Sequence, residues 1–269
     1  MKICILTGNH LRHLYYADKL ASINCELIWI IEKSENHIPV PDDYLNFHLK
    51  KLYKLHFNKR YEAEENFFGT NAGNNAENKI SKIYKIEIND LSNGHLEKIV
   101  KKEGVDILLS YGCHKIPEKV IDQIKLFCWN VHGGLSPWYR GSMTHFWPSY
   151  MLEPEFTGMT LHKITKNIDG GDIILQSSVN LNHNDGIHEN ACRTVSEFFI
   201  ELPKFIEKKI QNNNNITGVK QKSNGRIWTN SMWYPDMLKI IYDVFDDKIN
   251  KYCLENKRIK KINLIKQDI

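Results

Sequence analysis

Nowhere in the 269 residues do about eighteen apolar residues run consecutively, so no membrane-spanning helix is expected. The opening MKICILTGNH has too short an apolar stretch for a secretory leader, and the expectation is a soluble cytoplasmic protein. The six cysteines (Cys4, Cys25, Cys113, Cys128, Cys192, Cys253) include no CxxC pair, which argues against a zinc ribbon or redox motif and fits a reducing compartment. The 12 histidines offer no HxxxH spacing, so no metal site is expected. An excess of one charge is missing too. With 36 basic against 32 acidic residues and no long basic block before KRIKK near the C-terminus, no nucleic-acid partner is expected. The first loop, TGNHLRH, has one glycine where a dinucleotide fingerprint needs three, which argues against an NAD site.

What is present is a chain with 42% apolar residues, enough for a substantial core without disulfide or metal staples. Its length suits one main domain plus an appendage. Lys2–Thr7 reads as a buried strand, Leu11 to Ile23 as a helix and ELIWII (Glu26–Ile31) as a second strand, a βαβ unit of a parallel sheet. Between Lys33 and Ile80 the pattern fades: Pro39 and Pro41 break it, and GTNAGNNAEN (Gly69–Asn78) reads as a loop. The spacing then predicts a helix near Leu91 to Lys102, a strand over Val105–Ser110, a short helix over Pro117–Ile124 and a strand over Phe127–Val131. A helix around Met143–Met151 and a hairpin of Gly158–Ile164 with Ile173–Val179 follow. Asp185 is placed to cap a long helix from about Ile187 to Ile210, closed by Asn212–Asn215. One or two strands and a helix starting near Pro235 complete the chain. The fold class expected is an open, mostly parallel, Rossmann-like α/β sheet over residues 1–211, with a small C-terminal appendage at 212–269.

In such sheets ligands gather beyond the carboxyl ends of the strands. Three loops fit that placement: Gly8–Arg12, Tyr111–Lys115 and His132–Gly141. In the first, backbone amides with Arg12 and His13 suit an anionic substrate, although a simple turn capping the helix explains it as well. Asn130 and His132 alternate on one strand, so both point to the same face at the lip of the cleft. A buried amide and imidazole need partners, and spacing alone leaves open whether they do chemistry or tie down the next loop. NIDGGDI (Asn167–Ile173) sets Asp169 and Asp172 around two glycines, and a hairpin tip explains this as well as a catalytic carboxylate does. His162, within MTLHKI, has no independent signal.

Together these segments resemble the folate-dependent formyltransferases: Asn130-x-His132, then LSPWYRG, then TGMTLHKITKNIDGGDIILQ (Thr157–Gln176). The resemblance is dense over about 105–180. It implies the formyltransferase fold, 10-formyltetrahydrofolate as co-substrate, no metal, and an Asn130–His132–Asp169 set moving a formyl group onto an amine. It further implies folate contacts from Ser110, Tyr111, Gly112, Cys113, His114, Lys115, Ile168, Gly170 and Gly171.

The acceptor follows from what comes after the catalytic unit. Too few residues remain after the long helix for the basic domain of methionyl-tRNA formylating enzymes, and the first loop lacks the glycines of glycinamide-ribonucleotide enzymes. Family members that formylate nucleotide-linked amino sugars, for surface polysaccharide precursors such as lipopolysaccharide O-antigen, are similar in size and appendage. The expected acceptor contacts are Gly8, Asn9, His10, Arg12, Trp138, Tyr139, Arg140, Trp147 and Trp228, with the tail serving acceptor binding or pairing of a homodimer. Formylation of methionyl-tRNA or a small metabolite, and a non-catalytic nucleotide-binding module, are the alternatives.

Overall fold

The computed structural model describes residues 1–33, 38–211, 217–222 and 225–267. In chain order its elements are β1 (Lys2–Thr7), α1 (Leu11–Leu20), β2 (Glu26–Glu32), α2 (Phe47–Phe68), α3 (Asn74–Lys79), β3 (Lys82–Ile86), α4 (His95–Glu103), β4 (Ile107–Tyr111), α5 (Glu118–Ile121) and β5 (Phe127–His132). Then come β6 (Tyr139–Gly141), α6 (Trp147–Tyr150), β7 (Gly158–Lys163), β8 (Ile173–Ser178), α7 (Ile187–Gln211), β9 (Arg226–Trp228) and α8 (Ile249–Glu255).

The runs KICILT, ELIWIIE and ILLSY are apolar on both faces because helices cover both sides of the sheet. The strand order is β3-β2-β1-β4-β5-β7-β8, with the first five parallel and β7 antiparallel to both of its neighbours, β5 and β8. This is the expected open, mostly parallel α/β sheet. One face packs Tyr16, Leu20, Trp129, Phe199 and Phe205 against α1 and α7. The other packs Cys4, Leu6, Leu96, Val100 and Leu108 against α4. The chain moves outward from β1 to β3 and returns at β4 on the other side of β1, which opens a crevice beyond Thr7 and Tyr111.

Several elements differ from expectation. The stretch before Ile80 holds the 22-residue α2, and α3 falls within what reads as a loop. The buried stripe of α2 includes His56 and Glu64 beside Leu49, Leu52 and Phe57, so polar residues interrupt the apolar period. The helix expected over Met143–Met151 is shorter, Trp147–Tyr150. Asp185 does not cap α7; its carboxylate takes a two-pronged contact from Arg193 at 2.7 and 2.8 Å, and Asp247 from the tail accepts the Ile187 N–H at 3.0 Å. Asn212–Asn215 lie outside the described residues. The described residues of the tail build no core of their own. Trp228, Leu238, Ile241, Ile249 and Cys253 share a cluster with Leu52, Tyr139, Phe146, Trp147 and Ile187, and β9 pairs in parallel with β6. No described helix is long and apolar enough to cross a membrane.

Candidate active site

Strand β5 ends at the crevice, and its register with β4 sets Ser110 opposite Asn130. The buried Ser110 hydroxyl donates to Asn130 Oδ1 at 2.8 Å, which fixes the amide's orientation. Across β5, β7 brings His162 opposite Asn130. The Nδ1 of His162 is 2.8 Å from the Lys163 carbonyl, which can only accept, so Nδ1 carries the proton and Nε2 accepts from Asn130 Nδ2 at 3.2 Å. The second N–H of Asn130 has no partner among the described residues, and Asn130 lines the cavity.

His132 is held by the same logic. Its Nε2 donates to the Tyr139 carbonyl at 2.8 Å, so Nδ1 is the atom that faces Asp169 Oδ2 at 3.4 Å. Asp169 sits at φ 44 on the turn after β7. Its Oδ1 lies 3.3 Å from His162 Nε2 and its Oδ2 accepts the Gly141 N–H at 2.9 Å. Burial pushes the Asp169 carboxyl up, but His132, His162 and the Gly141 amide outweigh it and hold the group well below the usual carboxylate range. Burial pushes His132 down, opposed by the Asp169 charge, so the imidazole is neutral near pH 7. A neutral imidazole whose Nδ1 lone pair faces a carboxylate is arranged to take up a proton between the two. The arrangement therefore offers one amide donor and one proton-accepting pair on the same wall.

That wall belongs to a cavity of about 710 Å³ lined by Asn130, His132, His162 and Asp169. The segment from Ser110 to Lys115 also lines it, with Ile164 and Ile168, and so do His10, Arg12, His56, Arg60 and His188. The side chains expected to face folate are only partly turned that way. Ser110 is committed to Asn130, Tyr111 packs on Tyr16 and Phe199, and His114 is tied to Glu32 through both its ring and its N–H. Gly170 and Gly171 are outside the lining; a side chain at Gly171 would overlap the Lys163 carbonyl.

On the acceptor side, His10 and Arg12 line the cavity whereas Gly8 and Asn9 do not. Arg12 pairs with Glu64 of α2. Trp138, Tyr139, Arg140 and Trp147 also stay out of the lining. Trp138 packs on Phe156 with its ring centre at 5.4 Å, and Trp147 is buried against Trp228 at 4.3 Å. Arg140 is buried beside Gly170. Trp228 does line the cavity, but with 5% of its surface exposed and Arg226 over its ring it closes the wall and has no open face for stacking.

Sequence reasoning missed His162, Arg60, His56 and His188. His162 carried no signal of its own beyond lying in the TGMTLHKI stretch of the resemblance. The α2 residues had none, because the helix itself was not visible. Among the described residues no group of three or more His, Cys, Asp or Glu is placed to hold a metal ion.

A family model described as formyl transferase matches residues 63–198, about half of the chain. A methionyl-tRNA formyltransferase of Prochlorococcus marinus is 30% identical over 123 residues, 45% of this chain and 37% of that one. The bifunctional polymyxin resistance protein ArnA of Wigglesworthia glossinidia brevipalpis is 31% identical over 157 residues, 56% of this chain and 23% of that protein. The chain thus spans less than half the length of these relatives. Among solved structures, a 4-N formyltransferase from Francisella tularensis superposes with a TM-score of 0.54 at 20% identity, covering 86% of this chain and 76% of that one. An N-formyltransferase from Helicobacter canadensis, described in complex with folinic acid and dTDP-3-aminofucose, gives 0.54 at 18% identity and covers 98% and 84%. These structural likenesses extend the shared fold beyond the family match into the tail.

Proposed function

Since this chain belongs to the formyl transferase family, we propose that it transfers a formyl group from 10-formyltetrahydrofolate to the primary amine of a nucleotide-linked amino sugar. The observation that carries the reading is the single cavity holding Asn130, His132 and Asp169 together with a basic lobe. The co-substrate supplies the activated formyl carbonyl. The lining at Ser110–Lys115 fits it: apolar carbon from Ile116, Ile164 and Ile168 suits a flat ring, and the exposed Lys115 suits a carboxylate.

The remaining N–H of Asn130 is the donor for the oxyanion that develops when an amine attacks a carbonyl, and one such donor is worth about 3–4 kcal/mol. Asp169 and His132 accept the proton released by the amine, with His132 Nδ1 as the site where the carboxylate stabilises it, and the proton passes to the folate nitrogen as its bond to the formyl carbon breaks and tetrahydrofolate leaves. His162, by accepting from Asn130, orients the amide.

The basic lobe supports an anionic acceptor. Arg12 and Arg60 both reach Glu64, the latter at 3.9 Å, so two guanidinium groups share one carboxylate in a water-poor wall. His56 and His188, 3.2 Å apart, are kept neutral there by burial and by Arg60. Such a surplus of positive charge suits a diphosphate. The Helicobacter canadensis protein, which shares the fold, is described with a nucleotide sugar. On this reading the reaction serves surface polysaccharide precursors such as lipopolysaccharide O-antigen in the cytoplasm. Residues 1–211 carry the formyl chemistry, while 212–269 serve acceptor binding or homodimer formation.

Incubation with 10-formyltetrahydrofolate and a panel of acceptors tests the proposal, with tetrahydrofolate release as the signal. Amino-sugar nucleotides should support turnover, and methionyl-tRNA and small amines should not. Turnover with methionyl-tRNA alone would replace the acceptor, and none with any amine would favour a binding module.

A further inference from the structure

Asp169 sits at φ 44, a left-handed backbone conformation that few residues with a Cβ take though Asp is among them, and contacts around the turn restrain it further. The restraint comes from the C-terminal segment. Gln221 Nε2 donates to the carbonyl oxygens of Asp169 and of Gly171, each at 2.8 Å. Both amide protons are used. A reversed amide would set Oε1 against two carbonyl oxygens, so only one orientation is possible. Oε1 itself is buried and has no hydrogen-bond partner among the described residues, a penalty carried in exchange for this grip.

Gln221 is anchored in its turn. Two residues earlier, Val219 exchanges backbone hydrogen bonds with Ile173 at the start of β8, at 2.8 and 2.7 Å. A second arm of the tail reaches the other end of the same residue. Trp228 in β9 accepts the Ser142 N–H at 2.8 Å, beside Gly141, whose own N–H holds the Asp169 carboxylate. The tail therefore grips Asp169 by its main chain through Gln221 and supports its side chain through β6.

We infer that Gln221 is a positioning residue for formyl transfer, fixing the turn that presents the Asp169 carboxylate to His132. The C-terminal segment is then part of the catalytic machinery, beyond any role in acceptor choice or subunit pairing. The catalytic half of this inference rests on the formyl-transfer reading above; the grip on Asp169 does not.

The test uses the full chain with Gln221→Met, which keeps the length of the side chain and removes both donors. Three quantities are read: the thermal midpoint, the NMR titration of the His132 ring protons, and kcat and KM with the best acceptor. Asp169 is the larger of two influences that oppose the effect of burial on His132, the other being the Tyr139 carbonyl, so a slackened turn moves the His132 titration to lower pH. The expected result is that shift, with kcat lower by about 10²-fold, as a displacement near 1 Å can cause, and acceptor KM within about twofold. An unmoved His132 titration in a folded variant overturns the inference, as does a rise in KM alone. Should Gln221→Met fail to fold, Gln221→Asn keeps the donors but withdraws them by one methylene, and the same readouts decide. Wild-type protein inactive toward every acceptor would overturn the formyl-transfer reading, while the titration would still decide the grip.

Discussion

Oδ1 of Asp169 stands 3.3 Å from Nε2 of His162, the side of that ring that also receives the Asn130 amide. With Oδ2 facing His132, the carboxylate stands between the two imidazoles. Asp169→Asn keeps the shape and tolerates the left-handed backbone, but removes the charge that stabilises a proton on His132. The rate of formyl transfer should fall by about 10²–10⁴-fold with little change in the thermal midpoint. Retention of wild-type kcat would remove Asp169 from the proton path.

Asn130→Ala takes away the proposed oxyanion donor and leaves the buried Ser110 hydroxyl and the His162 ring each short of a partner. We expect kcat to drop by about 10²–10³-fold, and stability by about 1–3 kcal/mol from the stranded groups. Denaturant titration beside steady-state kinetics separates the two effects. Equal losses in bound and unbound states, with kcat unchanged, would assign Asn130 to structure alone.

Sequence pattern exposed the parallel sheet because its strands are continuous apolar runs, and it exposed Asn130 and His132 because polar residues alternate at the end of such a run. It hid α2 for the reason that makes α2 useful. The face of that helix turned to the cavity carries His56, Arg60 and Glu64, so the apolar period is broken where the lobe is built. Trp147 and Tyr139 read as pocket aromatics but pack on Trp228, since residue type alone does not distinguish a lining ring from one that supports it. Gln221 and Asp247 act across 52 and 60 residues of chain, on the Asp169 turn and on the start of α7, and no local spacing encodes such contacts.

Two buried histidines and the half-buried His145 set an acid limit to stability. Burial, followed by neighbouring positive charge, pushes His56 and His145 down to about 3, and His188 well below its ordinary value. In the unfolded chain each binds a proton near pH 6.5, while the folded protein leaves them neutral. The unfolded state therefore gains protons first, and stability falls as pH drops from about 6.5 toward the folded values. At pH 5 each such group costs about 2 kcal/mol. Thermal midpoints between pH 8 and pH 5 should decline steeply, and less so in His56→Phe. A midpoint flat over that range would show that the rings are charged in the folded protein.

Arg12 and Arg60 share Glu64, yet their replacement should have different consequences. Arg12 makes the close contact, through both Nε and a terminal nitrogen, to a carboxylate with only 4% of its side chain exposed. Arg12→Ala leaves that charge buried with only the distant Arg60, a loss of about 3–5 kcal/mol expected for a broken buried pair. Its first effect is on folding, seen as a lower thermal midpoint. Arg60 stands 3.9 Å from the same oxygen, and burial with the Arg12 charge pushes it down to about 10, so it is still a cation at neutral pH. Removing it leaves the Arg12–Glu64 pair intact while halving the guanidinium groups of the lobe. Arg60→Ala should therefore keep its midpoint and its kcat, and raise KM for a diphosphate-linked acceptor by about tenfold, the equivalent of one charge-assisted hydrogen bond. The rise should shrink with added salt, because the lost term is electrostatic. An Arg60→Ala enzyme with unchanged KM, or one in which a neutral amino sugar suffers equally, would show that the lobe does not read the charge of its acceptor.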